Sequence, residues 1–138
     1  MKKSFKIIIS IFMLIIATFG VGCNKEAKPV LITIQEQYLT ANATLYDYML
    51  TLKSNNIFDF EVSNGAYGVF ITKLNGVENG LGSNPCWLIY TTCATWQDNS
   101  SWGTTIEHNG KSYRSTTVGA SNITVSLNEE YLFYYTRF

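Results

Sequence analysis

The sequence predicts a mainly β, α+β domain: antiparallel sheets and hairpins with one helix packed on them. Three observations carry that prediction. Aromatic residues make up 14% of the chain, with nine Tyr, eight Phe and three Trp, residue types that suit a pleated, half-buried surface. Asn-Gly pairs at Asn64-Gly65, Asn75-Gly76, Asn79-Gly80 and Asn109-Gly110 punctuate the chain at the spacing of short strands. A single segment shows the helical period. With 138 residues the chain has room for one ordinary domain, and 46% hydrophobic against 14% charged residues excludes disorder as a description of the whole.

The first segment reads as an address. Lys2, Lys3 and Lys6 precede an apolar run from Ile7 to Val21. As a helix those 15 residues would rise roughly 22 Å, short of the ~30 Å hydrocarbon core. That length fits a secretory signal better than a membrane span. Gly20-Val21-Gly22-Cys23 follows, then an abrupt polar stretch to Pro29. Small residues before a Cys resemble the bacterial lipobox, although Gly20 stands where Leu is usual. The resemblance implies cleavage before Cys23 and diacylation of its thiol, two chains being what stable anchoring needs. A plain signal peptide with an incidental Cys, or an uncleaved anchor, is the competing reading. The expected organisation is a lipoprotein signal peptide over 1–22, a lipidated tether over 23–29 and one domain over 30–138. Taking the three signal lysines from the ten basic residues leaves seven against ten acidic ones, or −3, so nucleic acid is not an expected partner.

In the mature chain Val30–Gln35 is a strand candidate with β-branched residues. Leu45, Tyr48, Met49 and Leu52 recur at i, i+3, i+4 and i+7, with Thr40, Asn42 or Thr44 able to cap and Asn55-Asn56 as the stop. Phe58–Ser63 and Tyr67–Leu74 flank Asn64-Gly65 and predict a hairpin turning there. Asn75-Gly76 and Asn79-Gly80 mark further turns. Trp87–Thr92 reads as a mostly buried strand, Thr104–Glu107 and Ser112–Thr116 as a hairpin about Asn109-Gly110, and Tyr131–Phe138 as a closing strand with aromatics on both faces.

The chain carries no GxSxG, Walker loop, HExxH or paired CxxC. His108 sits in the predicted turn His108-Asn109-Gly110-Lys111, without a nucleophile partner. Glu129 and Glu130 are strand neighbours that point to opposite faces. No enzyme activity, catalytic residue, metal or required cofactor is expected. Cys86 and Cys93 flank a strand, and seven extended residues span roughly 23 Å against the ~7 Å a disulfide allows, so both are expected as free thiols.

From Tyr67 the chain becomes familiar. YGVFITKLNGVENG, then CWLIYT, VGASNITV and the aromatic ending YLFYYTRF resemble the transcobalamin-like C-terminal domain family, and TLYDYMLTLKSNNIFDFEV is similar to that family's leading helix and strand. The resemblance covers roughly Val30 to Phe138. It implies the fold of the C-terminal β-domain of transcobalamin, in a bacterial cell-surface lipoprotein with cobalamin as a ligand. It also implies a ligand surface built from Trp87, Leu88, Ile89 and Tyr90 on one strand and from Gly119, Ala120, Ser121 and Asn122 before the last strand. A flat corrin rimmed with amides suits apolar and aromatic surface for its face and backbone or Asn donors for its edge.

Two features depart from the carriers. The helical domain that supplies the other half of their site has no counterpart in these 138 residues. The stretch from Cys93 to Thr117 is also longer than the usual connection and inserts the Asn109-Gly110 hairpin beside the candidate site. The competing reading places Trp87 and Tyr90 in the core. Trp96 and Trp102, in a segment rich in Ser, Thr and Asn, are then the expected exposed contact residues. Two functions remain: a membrane-anchored, non-catalytic binding module for cobalamin or a related flat ligand, or a surface interaction and adhesion module for a protein or polysaccharide partner. An apolar concavity beside Trp87 and Gly119 would favour the first, a flat polar face the second.

Overall fold

The computed structural model describes residues 26–137, so the signal segment, the lipidation candidate Cys23 and the final Phe138 lie outside the described residues. Among the described residues, eight strands and one α-helix follow in chain order. They are β1 (Val30–Thr33), α1 (Leu45–Ser54), β2 (Phe60–Gly65), β3 (Gly68–Leu74), β4 (Val77–Glu78), β5 (Cys86–Thr91), β6 (Thr105–His108), β7 (Lys111–Ser115) and β8 (Glu130–Thr136). One sheet has the order β1-β8-β5-β7-β6 and the other the order β2-β3-β4, all pairings antiparallel. The fold is mainly β with a single α-helix among the described residues, as predicted.

Helix α1 starts where its capping chemistry dictates. Thr44 Oγ1 accepts from Asp47 N–H at 3.1 Å, while the Asp47 carboxylate accepts from Thr44 N–H at 2.9 Å, a reciprocal capping box. The Thr44 hydrogen bonds hold the Asp47 carboxyl below its ordinary range. The helix ends at Asn55, and Asn56 takes a positive φ of 57° that Asn tolerates better than most residues. Leu45, Tyr48, Met49 and Leu52 are its buried face, as their spacing foretold. That face packs with Ile32, Trp87, Ile89, Tyr131 and Phe133 from the inner face of the large sheet and with Phe60, Ile71 and Leu74 from the small one. The alternate residues of the large sheet, Leu88, Tyr90, Ile106, Tyr113, Leu132 and Tyr134, form a separate outer cluster.

Two of the predicted turns form as read. Asn75-Gly76 and Asn109-Gly110 both have paired positive φ, the geometry of a two-residue type I′ hairpin. The Asn64-Gly65 turn does not form. Asn64 pairs with Val69 and Gly65 with Gly68 inside the ladder, and the loop is Ala66-Tyr67. The residue with unusual backbone is Gly68, at φ 105°. A Cβ there would lie 2.6 Å from Ser121 Oγ and 2.7 Å from Asn122 Nδ2, so contacts made fifty residues later fix the turn. Cys86 and Cys93 are free thiols. Cys86 is fully buried, and burial pushes its thiol above the ordinary range.

Candidate functional site

The small sheet meets the large one through a short segment, Val77–Asn79, that three side chains tie down. Trp87 Nε1 donates to Val77 C=O at 2.9 Å and Tyr135 Oη to Glu78 C=O at 2.8 Å. The Asn79 amide does both jobs at once, donating to Ile71 C=O at 2.8 Å and accepting Trp87 N–H at 3.1 Å. The hairpin tip of β2 and β3 is fastened at its other end. Val69 N–H donates to Ser121 Oγ at 3.0 Å, and Asn122 Nδ2 donates to Tyr67 C=O at 3.0 Å. Gly119 lies flat against β3, where a Cβ would fall 2.7 Å from Val69 C=O. Between these two fastenings β3 and β5 diverge.

The divergence leaves a cleft of about 490 Å³. Val69, Phe70 and Ile71 line one side, the edge of β5 at Trp87, Leu88 and Ile89 the other, and Ser115 to Gly119 the base, with Tyr67 and Trp102 also lining it. No charged side chain is among its lining residues. The cleft exists because β5 is only half paired on this side: β7 pairs with Tyr90 and Thr91 alone, and Thr116 N–H adds one bond to Ile89 C=O at 3.0 Å. In an antiparallel strand a residue's N–H and C=O point to the same side. Trp87 and Ile89 therefore turn their main-chain groups toward the cleft.

Five sequence candidates meet here: Trp87, Leu88, Ile89, Trp102 and Gly119. The others do not line the cleft. Tyr90 belongs to the outer cluster, and its hydroxyl is paired with Thr104 Oγ1 at 3.0 Å. Ala120 is fully buried. Ser121 and Asn122 are spent on the hairpin tip. Trp96, expected as an exposed contact, packs against the core and donates its indole N–H to Thr124 C=O at 3.2 Å. Trp87 is a core residue, 2% exposed, with its ring 5.1 Å from that of Tyr135. It lines the cleft as well.

Trp102 is 87% exposed, and Tyr67, which sequence reasoning missed, is 86% exposed. An aromatic at the tip of a two-residue hairpin loop has no neighbour to bury it, and placing the turn two residues later would have flagged Tyr67. The loop carrying Trp102 is ordered from below. The Arg114 guanidinium donates to Asp98 C=O, to Ser100 C=O at 3.2 Å and to Thr105 Oγ1 at 3.2 Å, and Trp102 N–H donates to Ser100 Oγ at 3.2 Å.

Titratable groups gather elsewhere. Glu129 accepts from Tyr131 Oη at 2.7 Å and from Cys93 Sγ at 3.4 Å, and the Tyr131 phenol is pushed far above its usual range by burial and then by Glu129. Lys111 binds Glu130 at 2.9 Å and holds that carboxyl low. The His108 ring stands beside Asn109 in the turn. Among the described residues no group of three His, Cys, Asp or Glu is placed to hold a metal. Compared with protein-family models, with curated proteins and with solved structures, the chain has no match.

Proposed function

We propose that the chain is an extracytoplasmic lipoprotein, anchored in a bacterial membrane by lipidated Cys23, and that its cleft is a non-catalytic binding site for a flat, amide-rimmed ligand of the corrin type, as in the transcobalamin-like domains it resembles. The observation that carries the reading is the meeting of Trp87, Leu88, Ile89 and Gly119 around one neutral concavity, with Trp102 of the inserted segment at its rim. Its volume falls within the range of small-molecule sites. A single domain covers one face of such a ligand and leaves most of it wet, so the affinity is weak, micromolar at best.

The ligand reading is tested by titrating the full chain in detergent micelles with cobinamide and with cobalamin, following tryptophan fluorescence and corrin absorbance. Quenching is expected, because Trp102 is the exposed indole. A flat response up to millimolar corrinoid would reject the corrin reading and favour the surface interaction module, whose protein or polysaccharide partner would use the same exposed rings.

The anchor is tested separately. Cys23→Ser removes the thiol that acylation needs, and the protein is expected either to leave the membrane fraction or to keep its uncleaved signal. A variant still cleaved before residue 23 and still sedimenting with membranes would end the lipoprotein reading.

A further inference from the structure

We infer that the open edge of β1 is an interface between copies of this chain, two molecules pairing edge to edge about a two-fold axis at Ile32. The inference is independent of the cleft, none of whose lining residues takes part.

Among the described residues the two sheets have four edge strands, and three of them are guarded against pairing. β2 carries Glu61 with a bulge beside it, and Lys53 Nζ donates to Phe60 C=O at 2.7 Å. β4 has two residues, held by Trp87 and Tyr135. β6 carries the exposed Glu107. β1 reads Val-Leu-Ile-Thr and pairs with β8 without a charge, a proline or a bulge. Beside it runs a groove lined by Tyr38, Tyr48, Leu52, Ile57 and Phe58, with no charged side chain among its lining residues. Leu31 is 37% and Ile57 54% exposed on it.

Alternation decides which main-chain groups are open. Ile34 donates its N–H to Glu129 C=O and accepts Asn128 N–H, both at 2.9 Å, so Ile34 and Ile32 face β8. Leu31 and Thr33 therefore face away from the sheet. The open stretch is bounded at both ends: Pro29 has no N–H, and Gln35 spends its own on Tyr48 Oη at 2.9 Å. Tyr48 Oη also reaches Thr33 C=O at 3.4 Å, which leaves that oxygen a second lone pair.

This stretch matches itself. With Leu31 opposite Thr33 of a second copy, Thr33 stands opposite the second Leu31, and each pair exchanges two main-chain bonds. Sliding by two residues either way sets an open group against Pro29 or Gln35, so only this antiparallel register uses every open group. Charge agrees with it. Lys28, three residues before Leu31, is set against Glu36 of the other copy, three residues after its Thr33, and the two-fold makes this pair twice. Both residues are exposed, and neither has an ion pair among the described residues. An unrelated strand brings no such match at both ends.

The experiment mixes two differently tagged full-length chains, Leu31→Cys and Thr33→Cys, in uncharged detergent with micelles in excess over chains, under mild oxidation. Opposed residues of a hydrogen-bonded pair lie about 5.5 Å apart, within disulfide reach, whereas two copies of the same variant place their new thiols about 7–8 Å apart on a diagonal. Mixed-tag dimer is expected at least about fivefold above either variant alone and above the parent, which reports the native cysteines. Adding Lys28→Glu or Glu36→Lys to both chains is expected to lower the yield about fivefold with thermal unfolding unchanged, and the double reversal to restore it. A mixture that gives no more dimer than its components, or a double reversal as low as the single ones, overturns the inference. Cross-links to other proteins in place of the mixed-tag dimer, when membranes are oxidised before extraction, overturn it as well and give the edge to a foreign strand.

Discussion

Trp87→Ala should cost about 3–5 kcal/mol of folding stability, the range for deleting a large aromatic from a packed core. That is a large share of the roughly 5–15 kcal/mol available to a domain. The indole is 2% exposed, stacks obliquely on Tyr135 and gives its N–H to Val77 C=O, so the deletion both opens a cavity and strips a partner from the β4 backbone. Trp87→Phe keeps a six-membered ring but loses that hydrogen bond and part of the buried ring volume, for a smaller cost of about 1–3 kcal/mol. Urea unfolding of the two variants against the parent checks the ranking, and a Trp87→Ala cost below about 1 kcal/mol would contradict the core placement. The consequence for the site is direct. A loss of ligand binding in Trp87→Ala would report unfolding, whereas Trp102 can be removed with the core intact.

Local chemistry made much of the fold legible. The period of Leu45, Tyr48, Met49 and Leu52 with Thr44 before it specifies α1, because capping and amphipathicity are encoded within ten residues. Asn75-Gly76 and Asn109-Gly110 specify their turns because the positive φ they need is intrinsic to those residue types. Asn64-Gly65 carries the same signal and yet lies in the ladder. Ser121 and Asn122, fifty residues on, hold the hairpin tip with Gly68 at the crowded position, and no local pattern reports that.

The site was legible to the same degree and for the same reason. Trp96 and Trp102 share one polar segment and look alike in sequence. Trp96 finds the Thr124 carbonyl and the core, while Trp102 finds neither, a difference decided by tertiary packing. The resemblance to a known domain singled out the edge of β5 and Gly119, which do line the cleft. It could not single out Tyr67, whose exposure depends on where the hairpin turns.

Asn79 was legible only as a turn marker, and it is where the second large effect is expected. Its side chain joins the two sheets: Nδ2 serves Ile71 C=O on β3 and Oδ1 serves Trp87 N–H on β5. Asn79→Ala leaves both main-chain groups without that partner, at about 1–3 kcal/mol each, so a total of about 2–4 kcal/mol is expected after partial rescue by water. Asn79→Asp is the sharper experiment. The ionised carboxylate still accepts from Trp87 N–H but faces the Ile71 carbonyl with a like charge, whereas the protonated acid can donate to it. The folded state thus favours the protonated form and raises the pKa of the introduced group. A raised carboxyl pKa gives stability that is present at low pH and lost as the pH rises through the folded value. Relative to the parent, Asn79→Asp is therefore expected to be less destabilised near pH 4 than near pH 7. Chemical unfolding of the parent, Asn79→Ala and Asn79→Asp at both pH values decides it. An Asn79→Asp penalty that is small and independent of pH would mean that the two sheets do not depend on this amide, and with it the cleft between β3 and β5 would lose its fixed width.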